Sequence, residues 1–192
     1  MNEFWIYFQL GLKHVLDING YDHVLFITAL ATPYVIKDWK KVIVLVSLFT
    51  IGHTISLFLS VYQLVVFKVE LIELLIPITI LITALYHLFF KINPKSNYNF
   101  IEIILTLFFG LIHGFGFSNY FKSILPGDNQ AKLFPLIEFA LGIEAAQIIV
   151  VLVVLFVASI LQSFFKVSKK DWTLVISSII VGVLIPMLIE RI

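Results

Sequence analysis

Apolar residues run along this chain in long blocks separated by short charged or turn-forming stretches. Read for runs of roughly 18 to 25 residues bounded by charge, the sequence gives segments near 21–36, 42–67, 71–90, 100–121, 133–165 and 172–189. They predict about six helices that cross a bilayer, the second and fifth tilted or extended past it. The stretch from Asn2 to Leu16 is also apolar, but at ~1.5 Å per residue it is too short to cross ~30 Å of hydrocarbon. It is expected to lie at the interface or to pack back into the bundle. It lacks the basic start and small-residue cleavage site of a signal peptide, so it reads as part of the mature protein. Asp17-Ile18-Asn19-Gly20 reads as a turn, and so does Pro126-Gly127-Asp128-Asn129. The expected fold class is therefore all-α: a polytopic transmembrane bundle of about six spans plus a short N-terminal interfacial helix, forming a single domain over residues 1–192.

Composition sharpens this picture. At 60% hydrophobic, 13% charged and a mean hydropathy of +1.05, the chain has too few polar residues to coat a water-facing surface, so its partner is the lipid bilayer. Thirteen basic residues against twelve acidic ones give a net charge of +1, without the clustered cations that nucleic acid requires; a nucleic-acid partner is excluded. The cations divide unevenly between the two sides. Lys37, Lys40, Lys41, Lys91, Lys95, Lys166, Lys169 and Lys170 fall on one, and Lys13, Lys68, Lys122, Lys132 and Arg191 on the other, which favours both termini outside. Trp5, Tyr34, Trp39 and Trp172, near span ends, read as interfacial anchors.

Against the apolar background, ionisable residues within the runs require explanation, because each is costly in hydrocarbon unless partnered. All five histidines sit inside or at the edge of the runs. His14, Asp17, Asp22 and His23 are expected around the outer end of the first span. His53 and His113 each lie about a dozen residues into helices that start inside, and Glu144 about ten into one that starts outside, so these three should meet near mid-bilayer. His87 falls nearer the cytoplasm. Thr50, His53, Ser56 and Ser60 recur at three- and four-residue steps and form a polar stripe on one helix face; Thr79, Thr83 and His87 do the same on the next. Gly110, Gly114 and Gly116 surround His113, which allows another helix or a ligand close to the backbone. Glu144 and Gln147 are one turn apart.

Cysteine is absent and only Met1 and Met187 offer sulfur, so thiolate ligation is impossible and Cu(I) is disfavoured. Imidazole and carboxylate are instead the usual ligands of Ni²⁺, Co²⁺, Zn²⁺, Mn²⁺ and Fe²⁺, and the same groups can relay protons. No organic cofactor is expected.

Four blocks, GLKHVLDINGYDHVLF at 11–26, FTIGHTISL at 49–57, GLIHGFGFS at 110–118 and FALGIEAAQ at 139–147, resemble in content and order the HupE/UreJ family, particularly its second branch. The resemblance implies a small six-span membrane protein of the bacterial cytoplasmic (inner) membrane, a permease for nickel or a related divalent cation, linked to metalloenzyme supply and possessing, in some settings, a maturation system as partner. It implicates His14, Asp22, His23, His53, His113 and Glu144 as metal-path residues; by their positions along the helices, Gln147, His87 and Asp17 are expected as accessories. The graded depth of these groups gives them roles in a permease: Asp22 and His23 capture the ion, His53, His113 and Glu144 form a midplane site, and His87 assists exit, with nickel or cobalt as the expected substrate. Two other functions share the same residues. One is an intramembrane zinc hydrolase with three histidine ligands and a carboxylate activating water, although no HExxH pattern occurs. The other is a non-transporting partner that stores or hands over metal for enzyme assembly.

Overall fold

The computed structural model describes residues 3–90, 100–125 and 132–191. The turn expected at Pro126 to Asn129, and Lys91 and Lys95, lie outside the described residues. Seven α-helices make up the described architecture, with no strand among the described residues: α1 (Glu3–Val15), α2 (Asp22–Ala31), α3 (Trp39–Val61), α4 (Val69–Phe89), α5 (Phe100–Ile124), α6 (Leu133–Phe164) and α7 (Lys169–Ile189). The last five are long and apolar enough to cross a membrane, as an all-α polytopic bundle requires.

The run at 21–36 departs from the sequence reading. Its helix, α2, has 10 residues, about 15 Å, and covers only half of a bilayer. Hydropathy continues to Ile36, but Pro33 supplies no N–H to extend the helical ladder, and the chain turns before a short 3₁₀ segment, Ile36–Asp38, leads into α3. The N-terminal helix packs back into the bundle against α6. Gly11 faces the backbone of Phe139 and Ile143, and Gly142 faces that of Phe8 and Leu12, so the two backbones touch where a Cβ would not fit.

A second glycine crossing joins α3 to α5. Gly52 lies on the backbone of Leu107 and Leu111, Gly110 on that of Phe49, and Gly114 on that of His53. Because 49 pairs with 110 and 53 with 114, these helices run parallel. Their mid-helix histidines are consequently brought to the same level.

Chain ends and prolines are dealt with locally. The α3 helix stops at Gln63 in a left-handed conformation (φ 56°), where Leu64 N–H bonds Leu59 C=O and Gln63 N–H bonds Ser60 C=O, closing the helix end. Ser168 caps α7, accepting from Asp171 N–H at 3.1 Å and donating to its carboxylate at 2.6 Å. Inside α4, Pro77 leaves the Glu73 carbonyl without its helical donor, and the Arg191 guanidinium donates to that carbonyl instead, tying α7 to α4.

Candidate metal centre

The polar stripes face inward as their spacing predicts. Thr50, His53, Ser56 and Ser60 on α3, and Thr79, Thr83 and His87 on α4, are all buried. The short length of α2 changes what they face. Asp22 and His23, its first two residues, stand level with the middle of α3 and α5 rather than at the outer end of a crossing. The expected outer capture pair and the midplane histidines therefore form one cage.

His23 is its hub. Its ring centroid lies 4.5 Å from that of His14, 5.7 Å from His53 and 5.2 Å from His113. Two overlapping sets, His14/His23/His53 and Asp22/His23/His113, each bring one ligand atom per residue within 4.8 Å of the others. Three ligands bound at about 2.1 Å to one ion lie roughly 3.4–3.6 Å apart in tetrahedral or trigonal geometry, so either set closes on a cation by drawing in by up to about 1.4 Å.

Hydrogen bonds set which nitrogen two of the rings present. Asp22 Oδ1 accepts both the backbone N–H of His23, at 2.9 Å, and its ring Nδ1–H, at 3.0 Å. That leaves Nε2 of His23 as the lone-pair atom, and a carboxylate behind a histidine raises its basicity toward a metal. Thr79 gives its single proton to the Ile76 carbonyl at 2.7 Å, so at 3.2 Å from His113 Nε2 it can only accept. His113 therefore presents Nδ1. These two atoms, with Nε2 of His14 and both nitrogens of His53, are buried and have no protein partner. Five such atoms on four rings gathered about His23 make the cage a candidate cation site, since buried polar atoms are almost always partnered.

Aromatic rings wall the cage. Phe117 packs tilted against His14, ring centroids 3.8 Å apart, and Phe139 contacts His14 and His53. One turn further along α2, and one turn back along α3 and α5, lie Phe26, Phe49 and Phe109. Phe26 packs 4.7 Å from Phe49 and 6.1 Å from Phe109, and this buried layer covers one end of the cage. At the other end His14 lines a cleft of about 770 Å³ shared with Lys13, Asp17, Asn19 and Tyr120. Asp17 is thus at the cleft and outside the cage.

Glu144 is not part of either ligand set. It lies on α6 five residues past Phe139, about 7 Å along the helix, and Ser47 and Thr50 each donate to one of its carboxylate oxygens at 2.5 Å. With the Thr50 proton so committed, Gln147, 2.9 Å from the same hydroxyl, fits there as a donor through its amide nitrogen, which otherwise has no partner. His87 is also separate: its Nδ1 bonds the Ala29 carbonyl at 2.8 Å.

Two anchors read from the sequence are different in the structure. Trp5 and Trp39 are exposed as expected, whereas Trp172 is buried and Tyr34 is buried with its hydroxyl on the Glu102 carboxylate at 3.1 Å. Proximity to a span end does not reveal which way a ring turns. Glu102 was not singled out by sequence, because an acidic residue in the first turn of a helix is an ordinary partner for the helix dipole.

A comparison with curated proteins found no match, and a comparison with solved structures found none either. The family model described as HupE / UreJ protein matches residues 1–191, and a match over that length carries all four sequence blocks and every cage residue: the chain belongs to the HupE/UreJ family.

Proposed function

We propose that this protein is a membrane permease for a divalent transition-metal cation, nickel or cobalt first, that binds its substrate in the histidine cage on the way across the bilayer. The observation that carries the reading is the set of five buried ring nitrogens without a protein partner around His23, in a chain with five helices long enough to cross a membrane. The nitrogen-rich, sulfur-free donor set suits Ni²⁺, Co²⁺ or Zn²⁺, and Asp22 supplies negative charge against a desolvated dication. The cleft at His14 and Asp17 is the mouth, and Glu144, about one and a half turns from the cage along α6, adds a second carboxylate to the path. Supply of metal to an enzyme and a location in the bacterial inner membrane with both termini outside belong to the same proposal.

The test is metal uptake into sealed proteoliposomes with a trapped metal-sensitive dye. Wild-type protein should carry Ni²⁺ or Co²⁺ at a rate that falls to the protein-free background in His23→Ala/His113→Ala; equal rates in the two would reject transport through the cage. The cage opens to one cleft and is covered by phenylalanines at its other end, which also suits a protein that holds and hands over metal without flux. Tight binding with no uptake by wild type would select that second reading.

A further inference from the structure

Beyond the phenylalanine layer lies a second polar pocket that the cage does not use. Glu102 on α5 and His87 on α4 line a cavity of about 20 Å³ together with Thr83, Thr106 and Phe109, room for one water-sized occupant. The two side chains are more than nine-tenths buried, with 8% and 7% exposure. Eleven residues separate Glu102 from His113 along α5, and eight separate His87 from Thr79, the partner of His113, along α4. The pocket is therefore some 12–16 Å from the cage along the helix axes.

Its two side chains are oriented by contacts between distant parts of the chain. Pro33 lacks the N–H that would have taken the Ala29 carbonyl in a longer α2. That carbonyl accepts Nδ1–H of His87 at 2.8 Å, so His87 presents Nε2 as its lone-pair atom. Glu102 takes the Tyr34 hydroxyl on Oε2, while its buried Oε1 has no hydrogen-bond partner. A neutral imidazole and a carboxylate with an unpartnered oxygen, both lining one water-sized cavity, form a ligand pair for a hard or borderline dication. Phe109 separates this cavity from the cage, and His87 also borders a cleft of about 470 Å³ with Lys169, Lys170 and Thr173. His87 thus stands between the pocket and that cleft as His14 stands between the cage and the opposite one.

We propose that the Glu102/His87 pocket is a second divalent-cation site, weaker than the cage, in which the substrate rests after passing the phenylalanine layer and before leaving through the cleft at His87. This rests on the permease reading above. Two protein ligands bind less tightly than three or four, and positive charge nearby lowers dication affinity further: Lys41 acts on Glu102 electrostatically, and Lys169 and Lys170 line the cleft. A weak last site favours release, since conduction requires that an ion be able to leave.

Equilibrium binding of Co²⁺ to the full chain in detergent tests this. Wild type should take up two equivalents, one tight and one at least tenfold weaker. Glu102→Gln, nearly isosteric and able to keep the Tyr34 bond, and Glu102→Gln/His87→Ala should both retain the tight equivalent and lose the weak one, with Co²⁺ uptake into proteoliposomes slowed about tenfold. His23→Ala/His113→Ala should do the reverse, losing the tight equivalent and retaining the weak one. A single equivalent in wild type, or a weak equivalent that persists in Glu102→Gln/His87→Ala, overturns the second site. Unchanged Co²⁺ stoichiometry in those variants with a flattened pH dependence of uptake also overturns it, and assigns the pocket to protons. Failure of the permease reading is read separately, as a tight equivalent indifferent to His23→Ala/His113→Ala.

Discussion

Two polar clusters occupy neighbouring turns of α3 and are built on opposite principles. Around Glu144, both carboxylate oxygens have a hydroxyl donor at 2.5 Å. Around His23, five buried ring nitrogens have no protein partner. A half-buried carboxylate with both oxygens satisfied holds α3 to α6. An unsatisfied cluster works against folding, by about 1–3 kcal/mol for each group left unpaired, unless an ion or water meets it. A carboxylate in mid-span and a histidine in mid-span are equally conspicuous in a sequence, yet only the partner count separates a strut from a binding site. The difference predicts opposite responses to mutation, and the responses can be ranked.

The largest effect is expected at the hub. His23 belongs to both ligand sets, so His23→Ala should weaken Ni²⁺ or Co²⁺ binding by at least about 100-fold, near 2.7 kcal/mol, in equilibrium dialysis. An affinity within a factor of about three of wild type would mean that the two sets do not share a ligand. Asp22→Asn comes next. It keeps an acceptor for the His23 ring but removes the charge behind it, and losses on changing such supporting groups run about 10–100-fold in affinity. Binding that is unchanged in Asp22→Asn would show that Asp22 merely caps α2.

Much of this was legible in the sequence, and what was not has identifiable causes. Long apolar runs and the three- and four-residue spacing of Thr50, His53, Ser56 and Ser60 mark α3 and its buried face directly, because helix period and burial are local properties. The grouping of His53 with His113 follows from counting residues into two helices of the same direction. The length of α2 was hidden, since hydropathy runs on past Pro33, where the backbone ladder cannot. The depth of Asp22 and His23 was hidden with it, and so was their union with the midplane histidines. Glu144 was grouped with the histidines because its likeness to them in depth is a sequence property, whereas its donors Ser47 and Thr50 are known only once α3 and α6 are packed. Tyr34 and Glu102 meet across 68 positions of chain, and neither is unusual alone.

A smaller effect is expected in the satisfied cluster. Thr50→Val preserves shape and removes one of the two donors to Glu144, so it should lower stability by about 1–2 kcal/mol, read as a shift in the denaturation midpoint of the purified protein. A shift near zero would place Glu144 among solvated groups and weaken its description as a strut.

The smallest effect carries the most information. Most substitutions at a fully buried position destabilise a protein, and His53 is fully buried. Neither of its ring nitrogens has a protein partner, however, so His53→Leu, close in volume and able to pack against Phe49 and Phe139, removes two unsatisfied atoms and no protein hydrogen bond. Replacement of such a group by an apolar one is expected to be nearly neutral or stabilising. Measured without metal, its unfolding midpoint should equal or exceed that of wild type, within about 1 kcal/mol. With Ni²⁺ at about 100 times the wild-type Kd, wild type should gain about 2.7 kcal/mol and His53→Leu clearly less. A metal-free loss as large as that of Thr50→Val would mean that His53 holds the bundle together, and the contrast between strut and site would fail at the residue where it is sharpest.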